Sequence, residues 1–171
     1  LESTIKKIAN VPNILDGSTI IASLTKGFVP SENGPKLVLE TMEAALPEIY
    51  KDCTVYVAGP SHAEEVAMGK ITGLVAASLN PKNSIKVREL LKVPGLMVYS
   101  SFDIVGVQFC AAAKNVYGAM AGICVGSEND TLRGSLMCAS LAEMEKYLDA
   151  MQCVLKTARR LPLLGDYDAT M

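Results

Sequence analysis

Gly-x-Gly occurs nowhere in the sequence, Cys-x-x-Cys is equally absent, and there is a single histidine, His62. Without Gly-x-Gly the chain lacks the Gly-x-Gly-x-x-Gly turn with which a dinucleotide-binding strand-turn-helix unit normally begins. His62 has no metal-ligand spacing to Cys53, Cys110, Cys124, Cys138 or Cys153, so no zinc site is expected. The five cysteines are odd in number, and Cys110, Cys124 and Cys138 sit among Ala, Met and Gly. They read as reduced, mostly buried small hydrophobes of a cytosolic core, not as a disulfide framework. An excess of one charge is also missing: 16 Lys plus Arg stand against 18 Asp plus Glu, a net charge of -2. Nothing therefore draws the chain to nucleic acid or an anionic membrane, and a small anionic ligand would need a local site. No basic-then-apolar leader, internal repeat or low-complexity linker is present, and the expected location is cytoplasmic.

What is present is a chain of 171 residues, half of them apolar, long enough to bury a substantial core. The apolar stretch Ile104 to Val125 raises the question of a membrane span. Gln108, Lys114 and Asn115 lie near its middle, where a charge is costly in lipid, so it reads as a buried helix and no membrane insertion is expected. The first half alternates β-branched runs with helical patterns, the mark of a mostly parallel, helix-covered sheet. Strands are expected at Ser18 to Leu24, Thr54 to Ala58, Ile71 to Ala77 and Leu96 to Tyr99. Helices are expected at Glu2 to Ile8, within Gly34 to Ile49, at Ser61 to Met68 and at Pro81 to Leu91. After Asp103 helical periodicity takes over, first in Ile104 to Val125. A second helix follows, with Leu136, Leu141, Met144, Leu148 and Met151 recurring at threes and fours. The fold class is α/β: the latter part of a Rossmann-type sheet over residues 1–102, then a partial α-helical domain over 103–171.

Lys114 is the most informative residue. Its neighbours along the same helical stripe are Gly106, Cys110, Gly118 and Gly122, all small, so the surface around the ammonium is open to close approach, with the amide of Asn115 beside it. A lysine desolvated in this way has its pKa depressed unless an anion restores it, and either state suits proton transfer or anion binding. The plain alternative is a lysine snorkelling its stem over an apolar surface. Lys26 ends the first strand in Thr25-Lys26-Gly27-Phe28, at the carboxyl end where open α/β sheets collect ligands, although surface lysines at strand ends are common. Gly59-Pro60-Ser61-His62-Ala63 follows a strand and opens a helix, which suits an anion; it also suits a plain cap with Ser61 at the N-cap and Glu64 or Glu65 in the first turn. His62 has no orienting partner in the pattern and reads as part of an ordinary helix start. The closing Gly165-Asp166-Tyr167-Asp168-Ala169-Thr170 gains weight only in combination with the other segments.

Taken in order and spacing, these segments resemble the NAD(P)-dependent glycerol-3-phosphate dehydrogenase family. Thr25-Lys26-Gly27-Phe28 is similar to its T-K-G strand end, and Gly59-Pro60-Ser61-His62-Ala63-Glu64-Glu65-Val66 to its G-P-S-x-A-x-E segment. Ser101-Phe102-Asp103-Ile104-Val105-Gly106-Val107 is similar to its S-x-D-x-x-G-V, Ala113-Lys114-Asn115-Val116 with Gly122 to its K-N core, and Gly165-Asp166 with Thr170 to its G-D-x-x-x-T. The resemblance implies an NAD(P)-binding α/β domain and a helical domain with the substrate in the crevice between them. It implies reversible hydride transfer between NAD(P)H and dihydroxyacetone phosphate to give sn-glycerol 3-phosphate, with Lys114 as general acid and base. Lys26 would touch substrate and cofactor, Gly59 and Ser61 the substrate, and Ala63 the cofactor. Asn115, Asp166 and Thr170 would complete the polar lining of the substrate pocket.

The family's glycine-rich loop would precede Leu1 and its arginine-asparagine element would follow Met171, so the chain as given is expected to bind NAD(H) weakly and turn over poorly. The choice between NAD and NADP would rest with the same preceding segment. In Ser127-Glu128-Asn129-Asp130-Thr131 the family's Asn and Asp are transposed, and residues 153–164 are only loosely similar. Two other readings stay open. One is a 6-phosphogluconate, hydroxyisobutyrate or ketopantoate type dehydrogenase, which shares the two-part architecture. The other is a non-catalytic dimerisation or binding module; the runs Gly118-x-x-x-Gly122 and Gly122-x-x-x-Gly126 suit close helix packing, including a homodimer, in either case.

Overall fold

The computed structural model describes residues 1–126 and 130–165. Strands β1 (Ala22–Ser23), β2 (Val55–Ala58), β3 (Thr72–Ala77) and β4 (Leu96–Ser101) form one sheet in the order β1-β2-β3-β4. β2 and β3 are buried at every position, which is why their sequences run apolar without alternation. One face, with Tyr56, Ala58, Val75 and Ala77, packs against the core that includes Val107 and Ala111. The other, with Val55, Val57, Leu74, Ala76 and Val98, packs against Val87 of α5 (Pro81–Leu91).

The sheet is mostly parallel, as expected, in the pairing of β1 with β2 and of β3 with β4, whereas β2 and β3 run antiparallel, with Tyr56 opposite Ala77. The cause lies in the link between them. A parallel crossover needs a substantial helix, and residues 59–71 hold only α4 (Ala63–Ala67), five residues long, after which Gly69 at φ 71° turns the chain back. The first strand is shorter than the expected Ser18 to Leu24, because β2 alone pairs with it; one further bond, Val55 N–H to Ile21 O at 3.0 Å, extends the match. The helix sought within Gly34 to Ile49 is α3 (Val38–Glu43), and Pro47 sets its limit: the residue before proline is barred from helical geometry, and only a single 3-10 turn, Glu48–Tyr50, follows.

Residues Glu2–Ile8 form α1 and Pro12–Leu15 form α2, leading through a turn at Gly17, φ 72°, into the sheet. α5 begins at Pro81, and Asn80 caps it by accepting from the Lys82 and Asn83 amides at 3.1 and 3.4 Å. α6 (Ile104–Gly126) is apolar on most sides because it packs twice. Val107 and Ala111 meet the sheet, while Cys110, Ala113, Tyr117 and Ala121 meet Met144 and Leu148 of α7 (Asp130–Ala150). Met151, expected on that stripe, lies just past the helix and is exposed; Gln152 at φ 56° ends the helix and turns the chain away. No helix among the described residues is long and apolar enough to cross a membrane. A 3-10 turn, Leu155–Thr157, and a wide turn, Leu161–Gly165, bring the chain back over α6 and β3.

Candidate functional site

Lys114 is 7% exposed. It lies three residues after Ala111 and seven after Val107, so helical periodicity places it on the stripe of α6 that faces the sheet. Asn115, one residue on, is exposed. Of the small residues expected to clear the stripe, Gly122 has open space where a Cβ would stand. Gly106 is small for another reason, since the Asp103 carboxylate occupies that space.

Asp103 explains the Ser101-x-Asp103-x-x-Gly106 pattern physically. Its own amide donates to Ser101 Oγ at 3.2 Å, and its Oδ1 accepts the Gly106 amide at 3.1 Å, capping the start of α6. Its Oδ2 accepts from the Val154 amide at 3.2 Å and from Thr157 Oγ1 at 2.5 Å, tying the C-terminal segment to the helix that carries Lys114. Burial, and next the nearby Asp103 charge, push the Cys110 thiol up to about 12 and the Cys153 thiol up to about 11. Both are poor nucleophiles. The Tyr117 hydroxyl, raised first by burial and then by its hydrogen bond to Glu143 at 2.8 Å, joins α6 to α7.

Lys26 is half-buried in the loop after β1. The strand stops short of it, so its position comes from side-chain anchors: the Tyr56 hydroxyl donates to Thr25 O at 2.8 Å, and the Phe28 ring meets Phe109 of α6 edge-on at 5.5 Å. Gly27 sits between them at φ 123°, with nothing within 4 Å of where its Cβ would be. At Gly59, φ 139°, a Cβ would lie 2.5 Å from Gly73 O, so the close approach of backbone to backbone requires glycine there. The N-cap of α4 is His62, not Ser61, and it makes no side-chain cap bond; Ser61 Oγ donates to Gly59 O at 3.5 Å. Ser61 and Ala63 are exposed, and Glu64 and Glu65 occupy the first turn. A Cβ at Gly165 would touch Pro60 at 3.6 Å, so the G-P-S segment and the C-terminal turn adjoin. Asp166 and Thr170 lie outside the described residues, as does the Ser127–Asn129 part of the transposed loop.

The structure thus joins the Lys26 loop to α6, and Gly59-Pro60 to Gly165. A cleft of about 850 Å³ lies beside these segments, over Ile71 and over Gly73 and Val75 of β3, and against Arg159, Arg160 and Leu161. Ser101, Val107 and Gly165 of the family-like segments line it, but none of the expected site residues among the described ones does. Nothing in the loosely patterned stretch 153–164 signals it, because the cleft forms only when that stretch folds back onto β3. No cluster of metal-ligating side chains occurs among the described residues, and none of the five cysteines is in a disulfide; Cys138, expected in the core, is exposed because it lies on the outer side of α7.

Two family models match this chain in sequence. The N-terminal model of NAD-dependent glycerol-3-phosphate dehydrogenase covers residues 2–84, and the C-terminal model of the same enzyme covers 103–171. Glycerol-3-phosphate dehydrogenase of the NAD(P)+ type from Treponema denticola is 48% identical over 158 residues, 88% of this chain and 44% of that protein. Its counterpart from Lactobacillus acidophilus is 36% identical over 141 residues, 80% of this chain and 41% of the other. The crystal structure of glycerol-3-phosphate dehydrogenase from Coxiella burnetii superposes with a TM-score of 0.84 at 27% identity, covering 98% of this chain and 49% of that one. The structure from Dunaliella salina, at 22% identity and a TM-score of 0.86, shares the fold over 99% of this chain and 28% of its own. This chain spans about half the length of the curated relatives it matches. With the two models matching 2–84 and 103–171 in chain order and an α/β sheet followed by helices, the chain belongs to the NAD-dependent glycerol-3-phosphate dehydrogenase family.

Proposed function

We propose that the chain supplies the substrate-handling residues of an NAD(P)-dependent glycerol-3-phosphate dehydrogenase, reducing dihydroxyacetone phosphate to sn-glycerol 3-phosphate and reversing the reaction, with Lys114 as general acid and base. The observation that carries this reading is the burial of Lys114, 7% exposed, on the sheet-facing stripe of a helix matched by the family's C-terminal model. A buried ammonium is a costly thing to keep without use. In this reading residues 1–102 belong to a partial NAD(P)-binding domain and 103–171 to a partial helical substrate domain.

The residues present fit part of a nicotinamide dinucleotide. Lys26 stands beside open space at Gly27, and Ala63 presents a small exposed side chain at the start of α4. Residues to cradle the pyrophosphate are not among them, since the sequence has no Gly-x-Gly. NAD(P)H, when bound, supplies the hydride; the chain's own residues handle charge and protons. As negative charge builds on the ketone oxygen, the Lys114 ammonium stabilises it in a poorly solvated site and donates a proton to it. In the oxidative direction the neutral amine takes the proton from the C2 hydroxyl. Lys26 supplies a second cation suited to a phosphorylated substrate, with Gly59, Ser61, Asn115, Asp166 and Thr170 as the remaining proposed substrate contacts. Five cysteines outside any disulfide agree with a reducing, cytoplasmic setting.

The test is turnover by the complete polypeptide that contains this sequence, followed by oxidation of NADH and of NADPH on adding dihydroxyacetone phosphate. Lys114→Ala should lower kcat by about 10²- to 10⁴-fold, the range for a lost acid-base group. An active wild type with an equally active Lys114→Ala would remove the lysine from the chemistry.

A further inference from the structure

We propose that Phe109 is a positioning residue of this site, its ring fixing the 25–28 loop, and with it Lys26, to the helix that carries Lys114; the inference rests on the dehydrogenase reading above. Lys26 lies between two anchor points. Before it, Thr25 is held on both sides: its amide donates to Ser23 Oγ at 3.2 Å, and its carbonyl accepts from the hydroxyl of Tyr56, a fully buried residue of β2. After it, Gly27 at φ 123° turns the chain so that Phe28 faces α6.

There the Phe28 and Phe109 rings meet edge to face, centroids 5.5 Å apart at 64°, and Phe109 in turn meets Tyr147 of α7 at 5.7 Å and 48°. Both separations lie in the range favoured by aromatic pairs. Phe109 is the middle ring of a ladder that joins the loop, α6 and α7. It precedes Lys114 by five residues, about 7.5 Å along the helix axis. The loop and the lysine helix are therefore referenced to one another through this ring, which meets Phe28 two residues after Lys26 and sits on the helix five residues before Lys114.

Without the ring, the loop keeps its anchors at Thr25 and at the Val29–Lys36 bridge but loses the one at Phe28, next to Gly27, the most pliable residue in the segment. Lys26 then samples a wider range of positions relative to Lys114. A misplacement of about 1 Å costs on the order of 10²-fold in rate when two groups must act on one substrate.

The experiment uses the complete polypeptide, with Phe109→Leu and Phe28→Leu as variants that keep apolar bulk while removing the ring pair, and Phe109→Tyr as the conservative control. Either leucine variant should lower kcat with dihydroxyacetone phosphate by about tenfold or more, with a smaller change in KM and little change in melting temperature, and Phe109→Tyr should restore it. The decisive arm is the Lys26→Ala background, where Phe109→Leu should cost nothing further because no ammonium is left to place. Equal losses with and without Lys26, or an unchanged kcat in both leucine variants, would overturn the proposal. The wild type separates the two levels of failure: no turnover sinks the dehydrogenase reading and this inference with it, whereas an active wild type indifferent to Phe109 sinks this inference alone.

Discussion

Asp103 fills the space into which a Cβ at residue 106 would project: its carboxylate carbon lies 2.7 Å from that point, and its Oδ1 accepts the Gly106 amide at 3.1 Å. The glycine is there for the cap. Intrinsic helix propensity favours alanine over glycine by about 1 kcal/mol, so in an open helix Gly106→Ala would stabilise. Here it should destabilise by about 1–3 kcal/mol, because the carboxylate must leave its cap and release Thr157 as well. In an Asp103→Ala background the same substitution should become neutral or stabilising. Urea denaturation of the four proteins in this cycle gives the answer, and a loss that persists without Asp103 would place the clash elsewhere.

Gln108 makes a second long-range tie. Its Oε1 accepts the Leu39 amide at 2.9 Å, satisfying the start of α3, which has no side-chain cap of its own, and its Nε2 donates to Ile104 O at 3.1 Å. Both groups are buried. Gln108→Leu should therefore cost about 1–3 kcal/mol, the price of leaving a buried amide without an acceptor. Amide exchange at Leu39 should accelerate, and an unchanged exchange rate would show that the amide finds another partner.

These two ties mark the limit of what the sequence discloses. α5 and α6 are readable almost to the residue, because Asn80-Pro81 is a local start signal and the apolar run after Asp103 is long. The family motifs are local strings and are equally visible. The antiparallel pairing of β2 and β3 is not, since it depends on how little helix forms between them, and neither is the role of Gln108, whose partner lies 69 residues away. Within the candidate site, Lys114 stands out as a charge in an apolar run. Phe109 does not, because one aromatic in an apolar helix looks like any other core residue until the loop it holds is seen. The Ser61 cap misleads for a related reason: any Ser before a helix looks like an N-cap, but the helix begins a residue later, and the hydroxyl donates back to Gly59 O.

The cysteines should separate by reactivity. Cys110 is fully buried and its thiol is pushed up to about 12, whereas Cys138 is exposed. Alkylation of the native protein near neutral pH should label Cys138 well before Cys110, since the thiolate is the reacting form. Burial of the neutral thiol also makes stability fall with alkalinity. An unfolded cysteine ionises near 9.0 and the folded one near 12, so this contribution is intact below pH 9 and is lost as the pH climbs toward 12. Cys110→Ala should flatten that part of the melting temperature profile. Identical alkaline slopes in both proteins would show that Cys110 is not the titrating group.

Lys114 admits a test that separates its charge from its proton. Lys114→Arg keeps a cation on the same stripe of α6, but a guanidinium stays protonated above pH 12 and cannot act as a base near neutrality. If the residue works only by attracting a phosphate or stabilising an oxyanion, the arginine variant of the complete polypeptide should hold kcat within about tenfold of wild type. If it transfers the proton, kcat should fall by about 10²-fold or more in both directions. We expect the second outcome. The oxidative direction should suffer at least as much, because in the proposed reaction the neutral amine accepts the C2 hydroxyl proton and no arginine can replace it. A variant that oxidises sn-glycerol 3-phosphate at near wild-type rate would mean that the base is another residue, and that Lys114 is buried there for its charge alone.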